Sequence, residues 1–398
     1  MSQNSLILPT TGTVSGLQMT QNINNALDSL NTLNSGASAP STLASGMLWH
    51  DTSANILKIR NQANSAWINI TGLDESNNLS NPLNVFSKGF VNLLRNPSMQ
   101  VAQRGTSGTA TAGAGAYTLD GWQLLATGAN QAWSQGGTLG YPALKSLSIT
   151  GNTGVTNTQF FQRIESNVVG YVDGQQITFQ AQIFNNTGAA ITPNLSVTHA
   201  GSSDNWTSPV TDLTATNLQT IASGATATVS YTYTAAAGSS NGLQFILGFG
   251  SALNSNTKSV SISNVDARIS TGVASGLNNA PPSPEIRSYP LELVFCQRYY
   301  QIVAYLSATA TSATAMNAGE ILPVVMRAAP TAGQSGVLNS QGTTNPTQSA
   351  VGLGTNFSTA YSLYFSGVPN FTGLTAGQSY LLAVPANNAN YITLSAEL

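Results

Sequence analysis

The stretch NLLRNPSMQVAQRGTSGTATAGAGAYTLDGWQ, Asn92–Gln123, decides how this chain is organised. A strand-like run at residues 90–94 leads into it, and an Asn-Pro pair then turns the chain. Residues 105–115 consist only of Gly, Ala, Ser and Thr and lead to the segment at 117–122. We expect a stalk before this stretch and β-sheet after it.

The composition is that of a folded chain with few charges. Hydrophobic residues make up 41% of the 398 residues, which is enough for packed cores, and the length suits two to three domains. Charged residues make up only 7%, against about a quarter in an ordinary soluble domain. The surface therefore has to form hydrogen bonds through amides and hydroxyls. With a net charge of −2 and no basic run, we expect no binding to nucleic acid.

The single cysteine, Cys296, excludes an intramolecular disulfide and a cysteine-based zinc cluster, and we expect it to be a small buried apolar residue. The N-terminus has no basic region followed by an apolar core, and no run approaches 18 apolar residues. The sequence therefore predicts neither a signal peptide nor membrane insertion. Such a chain would be made in a cytoplasm and leave it by a route other than secretion.

A helix is predicted from Ser15 to Leu33. Ser15 followed three residues later by Gln18 is a capping-box signature, and residues 34–36 with Pro40 end the helix. Apolar residues recur at helical spacing: Met19, Ile23, Ala26, Leu27, Leu30 and Leu33. The other face is polar, so this stripe needs a partner. The partner is either another segment of the chain or, as we expect, two further copies of the helix in a homotrimer.

Short strands separated by turn residues account for most of the remaining chain. Three are predicted within residues 46–70 as a small meander, and residues 71–89, which have little periodicity, are predicted to be a linker or neck. The clearest later strands are residues 147–149, 159–164, 176–184, 194–198, 227–233, 244–249 and 260–269. Their spacing indicates an antiparallel sandwich rather than βαβ units, and strand-like runs after residue 300 predict a second, smaller β-domain.

Three motifs resemble sequences of bacteriophage tail fibres. The turn Gln103-Arg104-Gly105 and the segment Tyr117-x-x-Asp120-x-Trp122 resemble the opening of a phage receptor-binding module. The run LELVFCQRYY, Leu291–Tyr300, closely resembles a tail-fibre signature and is the most specific motif in the chain. Residues 46–70 resemble a small module of phage fibre and baseplate-associated proteins. The strand pattern after residue 159 resembles jelly-roll carbohydrate-binding modules.

The resemblance implies a mainly β chain: an N-terminal helix and small β-meander, then a jelly-roll β-sandwich and a smaller C-terminal β-domain. The predicted segments are an arm and oligomerising helix (1–36), the meander (37–72), a linker or neck (73–91), the jelly roll (92–288) and the C-terminal β-domain (289–398).

The resemblance also implies a function. The chain would be a tail-fibre protein of a virion, assembled in the host cytoplasm. Its N-terminal part would attach to other tail or baseplate proteins, and its distal β-domains would bind a host surface glycan. One alternative is a purely structural fibre or decoration of head, neck or baseplate without a ligand. Another is a glycan-degrading spike.

Catalytic signatures are weak. His50 and His199 fall in different predicted domains, we expect both to lack nearby acids, and no Gly-x-Ser-x-Gly elbow occurs. A glycan-cleaving site needs two carboxylates on one sugar bond, and the chain has only 14 scattered acidic residues. We expect those of the sandwich to cap turns or to pair with Arg104, Arg163 or Arg268. The sequence therefore predicts a protein that is not an enzyme.

Aromatic residues in loop-like sequence are the candidates for glycan binding, because sugars stack on aromatic faces while amides and carboxylates bind their hydroxyls. The candidates are Trp206 with Asp204 and Asn205, together with Trp133 and Tyr141. Trp206 ranks first because its whole neighbourhood, GSSDNWTSP, has turn chemistry. We expect Trp122 to belong to the core instead.

Metals, cofactors and phosphates have little support. Asn96 and Asp266 fall roughly where jelly-roll binding modules hold a structural calcium, but the chain lacks the clustered carboxylates of a dedicated calcium loop. The Gly-rich residues 105–115 lack the P-loop pattern. We therefore expect no metal, no cofactor and a flexible surface loop at 105–115.

Overall fold

The computed structural model describes residues 11–74, 79–81, 91–341, 346–383 and 391–398. The predicted arm at 1–10 and parts of the predicted linker, 75–78 and 82–90, lie outside the described residues. The chain is mainly β with antiparallel sheets, which confirms the predicted fold class. The five predicted segment boundaries stay predictions.

Two compact units make up the chain. The first comprises residues up to Val91 together with 175–177 and 269–275, and the second comprises the rest. In the first, helix α1 (Gly16–Asn31) precedes the strands β1 (Leu48–Asp51), β2 (Ile56–Arg60), β3 (Trp67–Asp74) and β4 (Leu79–Asn81).

The predicted start of α1 is confirmed. Ser15 is the N-cap, and its hydroxyl accepts a hydrogen bond from the Gln18 backbone N–H at 3.2 Å, which satisfies one of the unpaired donors of the first turn. The chain leaves the helix through Leu33 and Asn34, both with positive φ. Leu17, Ile23, Leu27, Leu30 and Leu33 on the helix and its exit are all exposed. The apolar stripe of α1 is therefore not covered by its own chain within the described residues.

Strands β1 to β4 form one antiparallel sheet in sequence order. Trp49 and Trp67 pack together with ring centroids 5.1 Å apart, and Lys58 Nζ donates to Asp51 Oδ2 at 2.7 Å. The predicted meander is thus confirmed, but it continues further than predicted. β4 and the end of β3 fall in sequence that we predicted to be linker, because that stretch has too little alternation to indicate strands.

The second unit begins with a β-sandwich. In chain order its elements are β5 (Ser107–Ala110), β6 (Ala116–Tyr117), β7 (Gln123–Thr127), β8 (Gln131–Gly136), β9 (Ser146–Thr150), β10 (Asn157–Glu165), α2 (Ser166–Val169), β11 (Gln176–Asn186), β12 (Asn194–His199), β13 (Val210–Asn217), β14 (Thr226–Thr234), β15 (Gly242–Gly248), β16 (Ser259–Ile269) and β17 (Gly276–Leu277). One sheet has the order β13-β12-β15-β10-β7-β6, and the other has the order β17-β14-β11-β16-β9-β8-β5.

Aromatic side chains fill the space between the two sheets. Phe179 of β11 and Phe245 of β15 come from opposite sheets, and their ring centroids lie 5.8 Å apart. Trp122 stacks on Phe160 at 4.6 Å and donates its indole N–H to the Asn96 carbonyl, so its predicted core role is confirmed. Each such buried side chain contributes about 1.5–3 kcal/mol through removal from water.

Three local expectations in this region were wrong. Residues 91–94 are not a strand, although Leu93 and Leu94 are buried and Leu93 N–H bonds to the Ala267 carbonyl. The predicted loop at 105–115 contains β5, which pairs with β8. Strands β6, β7, β8, β13 and β17 were also not predicted.

The rest of the chain, which we predicted to be a C-terminal β-domain, follows in the same unit. Its elements are α3 (Tyr289–Gln297), β18 (Tyr300–Val303), β19 (Tyr305–Ala310), β20 (Met316–Ile321), β21 (Thr331–Ser335), β22 (Asn339–Gln341), β23 (Thr355–Asn356), β24 (Ser362–Val368), β25 (Ser379–Ala383) and β26 (Tyr391–Ser395). A three-stranded sheet has the order β18-β26-β21, and a six-stranded sheet has the order β22-β25-β19-β20-β24-β23. Residues from both sheets share one apolar core around Phe365 and Leu394.

Helix α3 carries most of the LELVFCQRYY motif. Pro290 in its first turn suits the fixed φ that a helix start needs. Cys296 is buried as predicted, and burial raises the pKa of its thiol well above the ordinary value, so it is not a reactive thiolate. None of the helices among the described residues has the length and apolarity needed to span a bilayer.

Candidate functional site

The two most specific motifs meet at the junction between the sandwich and the C-terminal β-domain. Gln103 donates its backbone N–H to Asp120 Oδ2 at 2.7 Å and its side-chain amide to Asp120 Oδ1 at 2.6 Å. The same amide also donates to the Tyr300 carbonyl at 3.0 Å. Burial raises the pKa of the Asp120 carboxyl by more than the hydrogen bonds from Gln103 lower it. These contacts join the Gln-Arg-Gly turn to the end of the LELVFCQRYY motif.

A cluster of charges is enclosed at this junction around Glu397, whose side chain is only 6% exposed. Arg104 Nη2 lies 2.9 Å from Glu397 Oε1, and Arg95 Nη2 lies 3.6 Å from Glu397 Oε2. The Arg104 guanidinium also lies over the rings of Tyr117 and Tyr300, at 4.6 and 3.6 Å from their centroids. We call Arg95, Arg104, Tyr117, Tyr300 and Glu397 the junction cluster.

Further pairs extend the junction. Arg298 makes two hydrogen bonds to the carboxylate of Glu165, and Glu292 Oε1 accepts the backbone N–H of Asn96 at 2.6 Å. Arg163 donates to Gln244 and to an oxygen of Leu398. The motif residues of both stretches are therefore engaged in holding the C-terminal β-domain on the sandwich. A ligand site has to be sought on another surface.

Trp206, Asp204 and Asn205 lie in the loop between β12 and β13. Asp204 accepts the Ser166 backbone N–H at 2.7 Å, and Asn205 accepts the backbone N–H and the hydroxyl of Thr207. Trp206 is half-buried, and the Arg163 guanidinium lies over its ring at 4.8 Å from the centroid. Asp204 and Asn205 thus use side-chain oxygens to hold the loop, whereas the buried indole N–H of Trp206 has no hydrogen-bond partner among the described residues. One face of the indole is covered by Arg163.

Trp133 and Tyr141 differ from each other in exposure. Trp133 lies in β8 rather than in a loop and is 6% exposed, which leaves it little surface for a sugar. Tyr141 is 92% exposed in the β8–β9 loop, which Asn264 holds through bonds to the Ala143 N–H and the Gly140 carbonyl. Tyr141 is not among the residues that line the pocket described below, which lies in the C-terminal β-domain.

The expectation that His199 lacks nearby acids was wrong. Its Nδ1 contacts the carboxylate of Asp212, and the Ser239 hydroxyl donates to the other oxygen of that carboxylate. The strand pairing of β12 with β13 brings His199 and Asp212 together across 13 residues of sequence. Ser239 bonds to Asp212 and not to the histidine, so the three do not form the nucleophile–base pair that covalent catalysis needs.

Each carboxylate of the sandwich has a partner. The pairs are Asp120 with Gln103, Glu165 with Arg298, Asp173 with the Gly238 and Ser240 backbone, Asp204 with Ser166, Asp212 with His199, Asp266 with Arg268, and Glu285 with the Asn92 backbone N–H. The predicted pairing with Arg268 is confirmed. Arg104 instead pairs with Glu397, and Arg163 pairs with Gln244. In the part of the chain that the structure describes, no three His, Cys, Asp or Glu residues are grouped to hold a metal.

An open groove lies on the outer face of the six-stranded sheet in the C-terminal β-domain, with a cavity volume of about 710 Å³. This is within the range of about 300–1,000 Å³ that small-molecule sites occupy. The lining residues come from β19, β20, β24 and β25: Ser307, Ala308, Thr309, Asn317, Ala318, Gly319, Tyr364, Ser379, Tyr380 and Leu381. We call this the sheet groove.

Strand register explains why the groove has a low floor and taller sides. Ser307 pairs with Gly319 on one side and with Leu381 on the other, and Gly319 pairs with Tyr364. One row across the sheet thus reads Leu381, Ser307, Gly319, Tyr364. A methyl group on Gly319 would come within 3.3 Å of Tyr364 Cδ2, so the tyrosine ring lies beside the bare backbone of Gly319. The two small residues form the floor between Leu381 and Tyr364.

The polar groups of the floor are available for a ligand. The hydroxyls of Ser307, Thr309 and Ser379, which line the groove, make no hydrogen bond to any described residue. Asn317 Oδ1 accepts the Gly367 N–H, while its amide nitrogen makes no bond to a described residue. Tyr364 is 41% exposed, next to the exposed Phe357 at 6.3 Å between ring centroids. An aromatic wall beside unpaired hydroxyls suits a sugar.

Sequence reasoning did not single out any of these groove residues. The available signal was the alternation in YLSATA, residues 305–310, where Tyr, Ser and Thr alternate with Leu and Ala. That alternation predicts a strand with one solvent-exposed face, but it does not show which strands lie next to each other in the sheet. The groove is a product of the order β25-β19-β20-β24, which only the folded sheet supplies.

No protein-family model matches the chain, and no curated protein matches it. Among solved structures, the enzymatically active domain of tailspike protein 4 of bacteriophage CBA120 is 14% identical over 37% of this chain and 19% of that chain, with a TM-score of 0.28. A xylan-binding domain of CBM22 is 11% identical over 47% of this chain and 99% of that chain, with a TM-score of 0.29. This chain spans about a fifth of the length of the tailspike chain. Similarities of this degree carry no argument about what the chain does.

Proposed function

We propose that this protein is a bacteriophage tail-fibre protein that attaches to a glycan on the host cell surface through the sheet groove. The observation that carries the proposal is the pairing of an exposed aromatic wall, Tyr364, with the unpaired hydroxyls of Ser307, Thr309 and Ser379. Aromatic faces bind the C–H faces of sugars, and hydroxyls both donate to and accept from sugar hydroxyls. The motifs of the junction cluster, which resemble tail-fibre sequences, support the virion part of the proposal.

The test fills the groove and leaves the fold unchanged. Ser307 is exposed on β19, so Ser307→Trp places an indole on the groove floor without entering the core. Thr331→Trp is the matched control, because Thr331 is an exposed strand residue of the other sheet in the same domain. We expect adsorption of the intact protein to host cells to be lost with Ser307→Trp and kept with Thr331→Trp. Equal adsorption of both variants would contradict the role of the groove.

The N-terminal part would carry the attachment to the virion. The exposed stripe of α1 is uncharged, and Asp28 is the one charged residue of the helix, so copies of the helix can approach with little charge repulsion. Three copies in a trimer would cover the stripe and present three sheet grooves. The trimer would assemble in the host cytoplasm and join to tail or baseplate proteins. Linked sites of this kind raise apparent affinity by about 10²–10⁴ over a single contact.

Attachment without hydrolysis is part of the proposal. It is supported by the partners of the seven sandwich carboxylates and by the sheet groove, whose lining contains no aspartate or glutamate. A glycan-degrading spike needs two carboxylates on either side of one sugar bond. Incubation with capsule or lipopolysaccharide of a host that the protein binds should release no oligosaccharide. Steady release that one Asp or Glu substitution abolishes would establish the glycan-degrading alternative.

A further inference from the structure

We propose that the ligand of the sheet groove is an uncharged glycan, an inference that rests on the proposed function. Residues 301–398 contain only three charged side chains, those of Glu320, Arg327 and Glu397. The count comes from the sequence and so includes every residue of this part of the chain. An anionic sugar such as a uronic or sialic acid would need a cation nearby, and only one cation exists in this part of the chain.

That cation does not face the groove. Arg327 donates to the carbonyls of Ala396 and Glu397 at 2.9 and 3.2 Å, and its Nη1 lies 3.6 Å from Asp204 Oδ2 of the sandwich. Glu397 belongs to the junction cluster, where it pairs with Arg104. Both charged groups are thus fixed at the junction with the sandwich.

The remaining charge points away from the groove. Glu320 follows Gly319 on β20, and Gly319 lines the groove. Successive side chains of a strand point to opposite faces of the sheet, so Glu320 lies on the face opposite to the groove. The groove therefore offers hydroxyls, an amide and apolar surface, but no counter-charge for an anionic or a cationic group.

This chemistry fits a chain of neutral sugars. Each hydroxyl of Ser307, Thr309 and Ser379 can act as donor or acceptor, as sugar hydroxyls do, and the Asn317 amide adds donors. Tyr364 supplies the face on which a sugar ring stacks, and Leu381 closes the opposite side. A carboxylate or sulfate in the same position would lose hydration without gaining an ionic partner.

The experiment measures binding of the intact protein to immobilised neutral and acidic glycans. The glycans come from two sources, bacterial polysaccharides and lipopolysaccharide O-chains. Comparing the two sources tells whether the ligand is a free polysaccharide or a lipid-linked one. Each set is measured with the wild type, Ser307→Trp and Thr331→Trp. Salt is raised from about 0.1 M to about 1 M, over which the electrostatic screening length falls from about 10 to about 3 Å. We expect the wild type and Thr331→Trp to bind neutral glycans and Ser307→Trp to lose this binding. For the wild type, the Kd for neutral glycans should stay within about twofold over this salt range.

The outcomes separate this inference from the proposed function. Groove-dependent binding of acidic glycans only, weakening by tenfold or more with salt, would overturn the uncharged-ligand inference and leave the attachment function standing. Glycan binding that survives Ser307→Trp would place the ligand outside the groove and overturn the inference with it. Failure to bind any glycan while still adsorbing to cells would overturn the proposed glycan ligand itself.

Discussion

At the residue scale, Tyr364 is the side chain on which binding should depend most. It is 41% exposed and lies beside Gly319 at the groove floor, so its removal takes away the stacking surface without opening the core. We expect Tyr364→Ala to weaken glycan binding by about 2 kcal/mol or more, as for other aromatic hot spots, and to leave the melting temperature unchanged. Tyr171→Ala is the control, because Tyr171 is 45% exposed in the sandwich. A titration with soluble glycan and a thermal melt on each variant decide the matter.

A second prediction at the residue scale concerns whether Trp206 stabilises the fold or binds the glycan. Its ring lies under Arg163 and close to Gly242, where an added Cβ would come within 3.3 Å of the indole. We therefore expect Trp206→Ala to lower stability by about 1–3 kcal/mol in denaturant unfolding and to leave glycan binding unchanged. Trp206→Phe should recover part of the lost stability. Loss of binding at unchanged stability would instead place the ligand at the β12–β13 loop, with Asp204 and Asn205 beside it.

The role of a residue could be predicted from the sequence where it depends on neighbouring residues in the chain, and not where it depends on residues of another strand. The buried roles of Cys296 and Trp122 were predicted correctly. An isolated cysteine is usually buried, and the family motif that residues 117–122 resemble places its tryptophan at a strand start. His199 and Asp212 were not predicted as a pair, since a pairing across two strands leaves no mark in local sequence. The same reason hides the groove: Ser307, Gly319 and Tyr364 come together only through strand order.

At the element scale, the junction between the sandwich and the C-terminal β-domain should depend on Glu397. Arg95 and Arg104 are both largely buried beside it, at 9% and 16% side-chain exposure. Removing one partner of a buried ion pair leaves the other charge uncompensated, so Glu397→Ala should cost about 3–5 kcal/mol in unfolding free energy. Adding Arg104→Ala should cost less than the sum of the two single changes. Additive costs in a double-mutant cycle would show that the two side chains do not interact.

The β1–β2 hairpin should lose stability in acid. Burial raises the pKa of the Asp51 carboxyl, but hydrogen bonds from Lys58 and Ser53 lower it by more, so its pKa lies below the ordinary value. Because the folded pKa is lower than the unfolded value of about 3.9, the ionised group stabilises the fold above about pH 4, and this stability is lost as pH falls through the folded pKa.

Hydrogen exchange of the hairpin amides measures this loss. We expect protection of residues 48–60 to fall between about pH 7 and about pH 3, after correction for intrinsic exchange, and Asp51→Asn to flatten that dependence. The exposed pair formed by Arg60 and Asn64 has no carboxylate, so Asn64→Ala is a suitable control and should leave the acid response as it is. An unchanged acid response in Asp51→Asn would exclude Asp51 as its source.

Elements with strong alternation were predicted and short polar ones were not. ILKIR at β2 and the long strands β10, β11 and β16 have periodic apolar residues, so they were identified to within a few residues. β5, SGTA, and β13, VTDLTATN, consist largely of small or polar residues, and their strand structure comes from pairing with β8 and β12. Tertiary pairing overrides weak local preference at these positions.

At the scale of the whole molecule, the fold class could be derived from composition and strand spacing, whereas the joining of the two β-domains could not. The Gln103-Arg104-Gly105 turn, the segment 117–122 and the LELVFCQRYY run, which resemble tail-fibre sequences, contribute Arg104, Tyr117 and Tyr300 to the junction cluster. No single stretch reveals this role, because the cluster needs Arg104 and Glu397 from opposite ends of the second unit. A fixed junction would hold the sheet groove in one orientation on the sandwich. That orientation matters only if several grooves act together, which raises the question of the oligomer.

The homotrimer is the last prediction. Leu27 and Leu30 are 56% and 57% exposed on α1, and the helix contains a single charged residue, Asp28. Covering such a stripe with two further helices removes apolar surface from water, which stabilises the trimer by about 25 cal/mol per Å² of apolar surface covered. Light scattering of the intact chain should give a mass near three times 41.2 kDa. Leu27→Ser with Leu30→Ser should shift the mass to that of a monomer, whereas Asn24→Ser on the same helix should not.

Adsorption gives an independent measure of the same trimer. Loss of the trimer leaves each sheet groove intact, so Leu27→Ser with Leu30→Ser should leave binding of a soluble monovalent glycan unchanged. Adsorption to cells should fall by about 10²–10⁴, because only the gain from linked sites is lost. A wild-type protein that is a clean monomer at micromolar concentration would contradict the trimer. Unchanged adsorption in a monomeric variant would show instead that one groove is sufficient to hold the cell surface, and that the α1 stripe serves attachment to the virion alone.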